Sequence, residues 1–99
     1  MGFVWDKWKS RSNWTKHKVS FETAVLVFED PAALSVQDRV IAGEQRWQTL
    51  GLVGGMVILL VAHTYEEENG EEVIGIISAR KATPRERKLY EQAHQKTSE

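Results

Sequence analysis

Glu44, Arg46, His63, Tyr65, Ser78 and Arg80 are the side chains in this sequence best suited to phosphodiester chemistry, provided that they meet. An arginine pairs with a phosphate and with the charge that builds on it, while a histidine or glutamate moves protons at a 2′-hydroxyl and at the leaving oxygen, without metal. Whether they meet depends on strand register, which turn residues set. With Gly54 and Gly55 as a two-residue hairpin loop, Val53 opposes Met56, which places Arg46 opposite His63 and Glu44 opposite Tyr65. With Asn69 and Gly70 as a second loop, His63 opposes Ile76, Val61 opposes Ser78 and Leu59 opposes Arg80. One sheet face then carries Glu44, Arg46, Gln48, His63, Tyr65, Ser78 and Arg80, and the other Trp47, Thr49, Ile58, Leu60, Ala62, Ile77 and Ala79. The apolar set is the one expected to receive helices. A plainer reading of the same residues makes Arg46 and Glu44 an exposed ion pair and His63 a histidine at the edge of a core.

Other chemistries lack their residues. His17, His63 and His94 are too scattered for a metal motif, and no phosphate-binding glycine loop or serine-nucleophile elbow is present, so no cofactor or metal is expected. With no cysteine there is no disulfide frame, no thiolate nucleophile and no thiolate zinc site, which points to a reducing cytoplasm. The longest apolar run, Met56 to Ala62, is far short of a membrane span, and the first residues lack a signal core. Trp5, Trp8, Trp14 and Trp47 could stack on bases or fill a core.

The elements that must position these groups follow from pattern. Phe3 to Trp5 is a short strand, and Asp6 caps a helix to about Lys16 whose apolar spacing is poor. Ser20 caps a second helix, with Phe21, Ala24, Val25 and Phe28 on one stripe and an end at Asp30-Pro31. Leu34 to Asp38 reads as a strand, followed by a loop through Gly43 and strands over 45–53, 56–65 and 73–80. Thr83-Pro84-Arg85-Glu86 is a capping box with proline at the first helical position, opening a helix to about Gln95. The fold class is α+β: a short strand, two helices, an antiparallel meander of three or four strands and a C-terminal helix, all in one domain over 1–99.

Composition agrees with an ordinary globule: 99 residues, 41% apolar and 27% charged. The net charge of −1 conceals segregation along the chain. Residues 1–18 carry five basic side chains against Asp6 alone, and residues 80–99 carry six against three acids. Between them Arg39 and Arg46 face ten acids. If the two ends meet they form a basic surface for a polyanion, with Lys9, Lys16 and His17 from the first block available for substrate binding or proton transfer.

Trp5, Asp6, Lys9, Asn13, Lys16, His17, Val19, Ser20 and Phe21, spaced as W-D-x-x-K-x-x-x-N-x-x-K-H-x-V-S-F, resemble the N-terminal pattern of the BrnT toxin family. The resemblance continues through Phe28, Asp30 and Pro31, through the pair Glu44 and Arg46, and through Ile76 to Thr83 followed by Arg85 to Tyr90. It implies a RelE-like fold and a small endoribonuclease of a type II toxin–antitoxin system that cuts RNA and arrests translation. It also implies a BrnA-type ribbon-helix-helix antitoxin as partner, through which operator DNA is engaged only indirectly. On that expectation Arg46 and Arg80 hold the scissile phosphate, Glu44, His63 or His17 is the general base, and Lys9, Lys16, His17, Tyr65 and Ser78 bind substrate. The alternative is a non-catalytic module that docks an antitoxin or acts as co-repressor, or a small RNA-binding protein.

The chain departs from the family pattern twice. Lys18 stands where glycine is usual, which strains a left-handed turn by about 1 kcal/mol. Gly75 stands at the first arginine of R-I-I-S-A-R, which is expected to attenuate this copy. Strict alternation puts Gly75 on the face opposite Arg80 unless a bulge intervenes.

Overall fold

The structure is a computed structural model that describes residues 1–97, with side chains described through Ala93. Residues 98 and 99 of the expected domain, and the side chain of His94, lie outside the described residues. The element order is β1 (Gly2–Trp5), α1 (Lys7–His17), α2 (Phe21–Val25), a 3₁₀ turn (Leu26–Glu29), β2 (Leu34–Ile41), β3 (Glu44–Val53), β4 (Val57–Glu68), β5 (Glu71–Lys81) and α3 (Pro84–Thr97). The sheet order is β1-β5-β4-β3-β2: a four-strand antiparallel meander to which β1 adds in parallel along β5. No described helix is long and apolar enough to cross a membrane.

Helix α1 has no apolar face, which explains its poor periodicity, and Asn13 is its one buried residue. Three local devices hold it in place. The Asp6 carboxylate accepts from the Trp8 and Lys9 amides. Lys18 ends the helix in the left-handed region (φ 56°), as its replacement of glycine implied, and its amide donates to Trp14 O. The Asn13 amide completes the edge of β5, which β1 covers only from Val73 to Ile76. Nδ2 donates to Ala79 O (2.8 Å) and Val19 O (2.9 Å), and Oδ1 accepts from Ala79 N (3.0 Å).

Two irregularities decide which side chains share a face. Gly54 and Gly55 are both left-handed (φ 62° and 66°), but Met56 joins them in the loop, so Val53 pairs with Val57 and Trp47, not Arg46, pairs with His63. Along the second hairpin His63 pairs with Ile76 as expected, but Ala62 pairs with Ser78, leaving Ile77 as a bulged residue. Hence Leu60 opposes Arg80 and Val61 opposes Ala79. The other turns are two-residue reversals at Ala42-Gly43 and Asn69-Gly70, the first replacing the expected loop and carrying β2 to Ile41.

One face therefore carries Thr49, Val61, His63, Ile74, Ile76 and Ala79 beneath Phe21, Ala24, Val27 and Phe28 of α2 and the 3₁₀ turn. Gly51 allows the turn to come this close, because a Cβ there would lie 2.6 Å from Val27 Cγ1. The opposite face carries Arg46, Gln48, Leu50, Ile58, Leu60, Ala62, Thr64, Gly75, Ser78 and Arg80. Helix α3 covers one end of it, packing Tyr90 with Leu50, Leu60 and Ala82. Tyr90 also donates to Asp30 Oδ2 (2.6 Å), and burial beside that carboxylate pushes its phenol up to about 12. The capping box forms as read: Thr83 Oγ1 accepts from Glu86 N, and Glu86 Oε1 accepts from Thr83 N.

His63 and Tyr65 are thereby corrected. The one-residue longer loop turns both to the helix-covered face, where His63 is fully buried between Phe28 and Tyr65. With Nδ1 3.3 Å from Thr64 O, Nε2 accepts from the Thr49 hydroxyl (2.7 Å), whose oxygen also meets Ser35 Oγ (2.8 Å). Burial lowers the His63 pKa and keeps the ring neutral. Tyr65 packs on Trp47 and His63, across the sheet from Arg46.

Three outcomes follow. Asn13→Ala leaves a buried N–H and C=O of Ala79 unpaired and should cost about 3 kcal/mol in urea unfolding, whereas Lys18→Gly should gain about 1 kcal/mol. The unfolded chain protonates His63 near its ordinary pKa of 6.5, above the folded value, so this residue's contribution to stability is complete above about pH 6.5 and is lost as pH falls toward the folded pKa. The slope of unfolding free energy against pH between about 7.5 and 5 should be shallower in His63→Gln than in the native chain.

Candidate active site

The end of the second sheet face that α3 leaves uncovered is a shallow groove of about 280 Å³. Its floor is Thr64, Gly75 and Ile77, and its charged rim is Asp6 and Lys9 from the start of α1, Glu44 and Arg46 from β3, and Glu66 from β4. A smaller groove of about 210 Å³ adjoins it along α1 and shares Lys9 and Ile77. It adds Ser12, Asn13, Lys16, His17 and Ser78, so the basic N-terminal block reaches the sheet through one side of a single helix. Lys9, Ser12, Asn13 and Lys16 recur at i, i+3, i+4 and i+7, the spacing of one helical face.

Arg46 is the guanidinium held against the sheet. Its Nε is buried and makes no hydrogen bond, with Glu44 Oε1 at 3.6 Å, an ion-pair contact too long for one. A guanidinium partly removed from water and incompletely matched favours additional anionic oxygen nearby. Among the described residues no three His, Cys, Asp or Glu side chains converge as metal ligands.

Arg80 shares the face with Arg46 but not the groove. It opposes Leu60, four residues from Thr64, which puts it roughly 14 Å away along the strands. There it binds Glu86 in fork geometry (Nη1 to Oε1 2.8 Å, Nη2 to Oε2 3.0 Å). The hydrogen bonds from Arg80 hold the Glu86 carboxyl down at about 2. Arg80 thus anchors α3 through its cap, with its guanidinium engaged by Glu86 and not among the residues that line the groove.

Of the expected site residues, the two grooves bring together Lys9, Glu44 and Arg46, and Lys9, Lys16, His17 and Ser78, respectively. His63, Tyr65 and Arg80 are elsewhere. Thr64 and Glu66 were missed, since only a three-residue count at Gly54-Gly55-Met56 gives them the parity of Arg46. Gly75 lies in the first groove because the bulge at Ile77 restores it to the face of Ser78 and Arg80. A Cβ on it would lie 2.6 Å from Thr64 Oγ1 and 3.6 Å from Glu66 Oε2, so a side chain at 75 would enter the groove once Thr64 turns. With glycine there, Lys9 and Arg46 face three carboxylates, of which Asp6 is engaged as a helix cap.

The family model for the ribonuclease toxin BrnT of type II toxin–antitoxin systems matches residues 5–86. The crystal structure of the Brucella abortus ribonuclease toxin BrnT superposes with a TM-score of 0.58 at 24% identity, covering 84% of this chain and 97% of that one. This likeness establishes a shared fold. A search among curated proteins finds no significant sequence match. With the family pattern running through both walls of the groove, from Trp5 to Glu86, this chain belongs to the BrnT family of ribonuclease toxins of type II toxin–antitoxin systems.

Proposed function

We propose that the chain is the toxin of its pair, an endoribonuclease scaffold whose groove takes a single-stranded RNA phosphate between Lys9 and Arg46 with Glu44 as general base. The observation that carries this reading is the meeting of Lys9, Arg46 and Glu44, from two distant parts of the chain, over the open floor at Gly75. Glu44 takes the 2′-hydroxyl proton as the 2′-oxygen bonds to phosphorus. The phosphorus–O5′ bond breaks, and the departing 5′-oxygen takes a proton from the Lys9 ammonium, leaving a 2′,3′-cyclic phosphate. Arg46 carries the charge that develops on the phosphoryl oxygens. No step calls for a metal. Lys16, His17 and Ser78, along the adjoining groove, hold the neighbouring phosphate.

Gly75 attenuates this copy. A guanidinium at 75 would stand beside the phosphate and offset Glu66, whereas glycine leaves carboxylates in excess around a polyanion. That imbalance favours a second role for the chain as it stands: a weakly cleaving module that still engages a BrnA-type antitoxin and contacts operator DNA only through it.

In EDTA, Gly75→Arg should cleave single-stranded RNA to cyclic-phosphate ends far faster than the native chain, and a requirement for added Mg²⁺ would overturn the mechanism. Arg46→Ala in the Gly75→Arg background should lower kcat/KM by about 100- to 1,000-fold. Arg80→Ala should lower stability while leaving the activity per folded molecule within a few fold. Growth arrest on induction of Gly75→Arg, relieved by the antitoxin, separates the nuclease from the silent module.

A further inference from the structure

The outward side of α1 has no part in the groove, yet it displays the two most exposed of the chain's four tryptophans. Trp8 and Trp14 are 69% and 52% exposed, although burying such rings is among the largest gains open to a small core. Each ring has at least one cation over it: Lys7 Nζ at 5.9 Å and Arg11 Cζ at 5.1 Å from the Trp8 centroid, and Lys18 Nζ at 5.5 Å from that of Trp14. Trp8, Arg11 and Trp14 succeed one another at i, i+3 and i+6, a strip that winds across the helix over roughly 9 Å of its length. The other side of the same helix carries Lys9, Lys16 and His17 in the grooves. Its one flanking acid, Asp6, is occupied by the N-cap.

We propose that Trp8 and Trp14, with Arg11 between them, form a stacking rail that holds bases of single-stranded RNA outside the cleavage groove. Planar rings beside cations match a polyanion bearing π-faced bases, and such stacking tolerates any base. A protein partner is matched less well, because Arg11 lies between the two rings and polar Lys7, Ser10 and Thr15 flank them, which leaves no continuous apolar patch. The rail rests on the ribonuclease reading for what lies beyond it, but its contact with RNA stands independently of cleavage.

The test uses the full chain and a 12-nucleotide 2′-O-methyl oligouridine, which binds but is not cut. Trp8→Ala and Trp14→Ala should each weaken binding by about 5- to 100-fold, Trp8→Phe should restore most of it, and melting temperatures should stay near native because both rings face solvent. In the Gly75→Arg background, Trp8→Ala should raise KM for long RNA and leave cleavage of a dinucleoside monophosphate unchanged. Native-like oligouridine affinity in both alanine variants overturns the rail, whether or not the protein cleaves. Loss of antitoxin binding with RNA affinity intact also overturns it and assigns the face to the antitoxin. Tryptophan-dependent binding with no cleavage by Gly75→Arg supports the rail and overturns the nuclease mechanism instead.

Discussion

The side-chain amide of Asn13 is the contact on which the arrangement of the rest depends. A helix without an apolar stripe gains little by docking on a sheet, yet α1 must sit against β5 for Lys9, Lys16 and His17 to reach the grooves. Asn13 solves two problems at once. It supplies the donor and acceptor that Ala79 would receive from a longer β1, and its second amide proton ties in Val19, just ahead of the helix that packs Phe21 into the core. Helix and sheet edge thus satisfy each other through one planar group that no aliphatic residue replaces.

The elements were largely legible in the sequence because their signals are local. Asp6, Ser20 and the Thr83–Glu86 box cap the helices they were read to cap. The apolar run of β4 is the central strand it was read to be. Register was less legible, since a loop of two or three residues at Gly54-Gly55 looks the same in the chain, and the difference reverses β4 against β3. The bulge at Ile77 then reverses the count once more. Glu44, Arg46, Ser78 and Arg80 remain on one face after these two errors, whereas His63 and Tyr65 change sides. The parallel partner of β1 carried no local signal at all.

Two arginine positions on β5 illustrate how one strand divides its labour. At position 80 the guanidinium meets a carboxylate from the first turn of α3, and the energy of that pair goes into fixing the helix that closes the second core. At position 75 the same strand crosses the open groove, where glycine contributes no side chain and Thr64 and Glu66 border the space that one would enter. Burial of His63 follows the same logic from the other side. A neutral imidazole satisfied by Thr49 and Thr64 serves as a polar core residue, on the side of the sheet away from the groove.

The first strand of the chain lies beside one of the last, Gly2 to Trp5 alongside Val73 to Ile76. Sheet edge, helix anchor and groove floor all await residues that lie about seventy positions further along the chain. A chain growing from its N-terminus therefore has both walls of the groove before it has the floor, and the groove closes only when β5 has been made and paired.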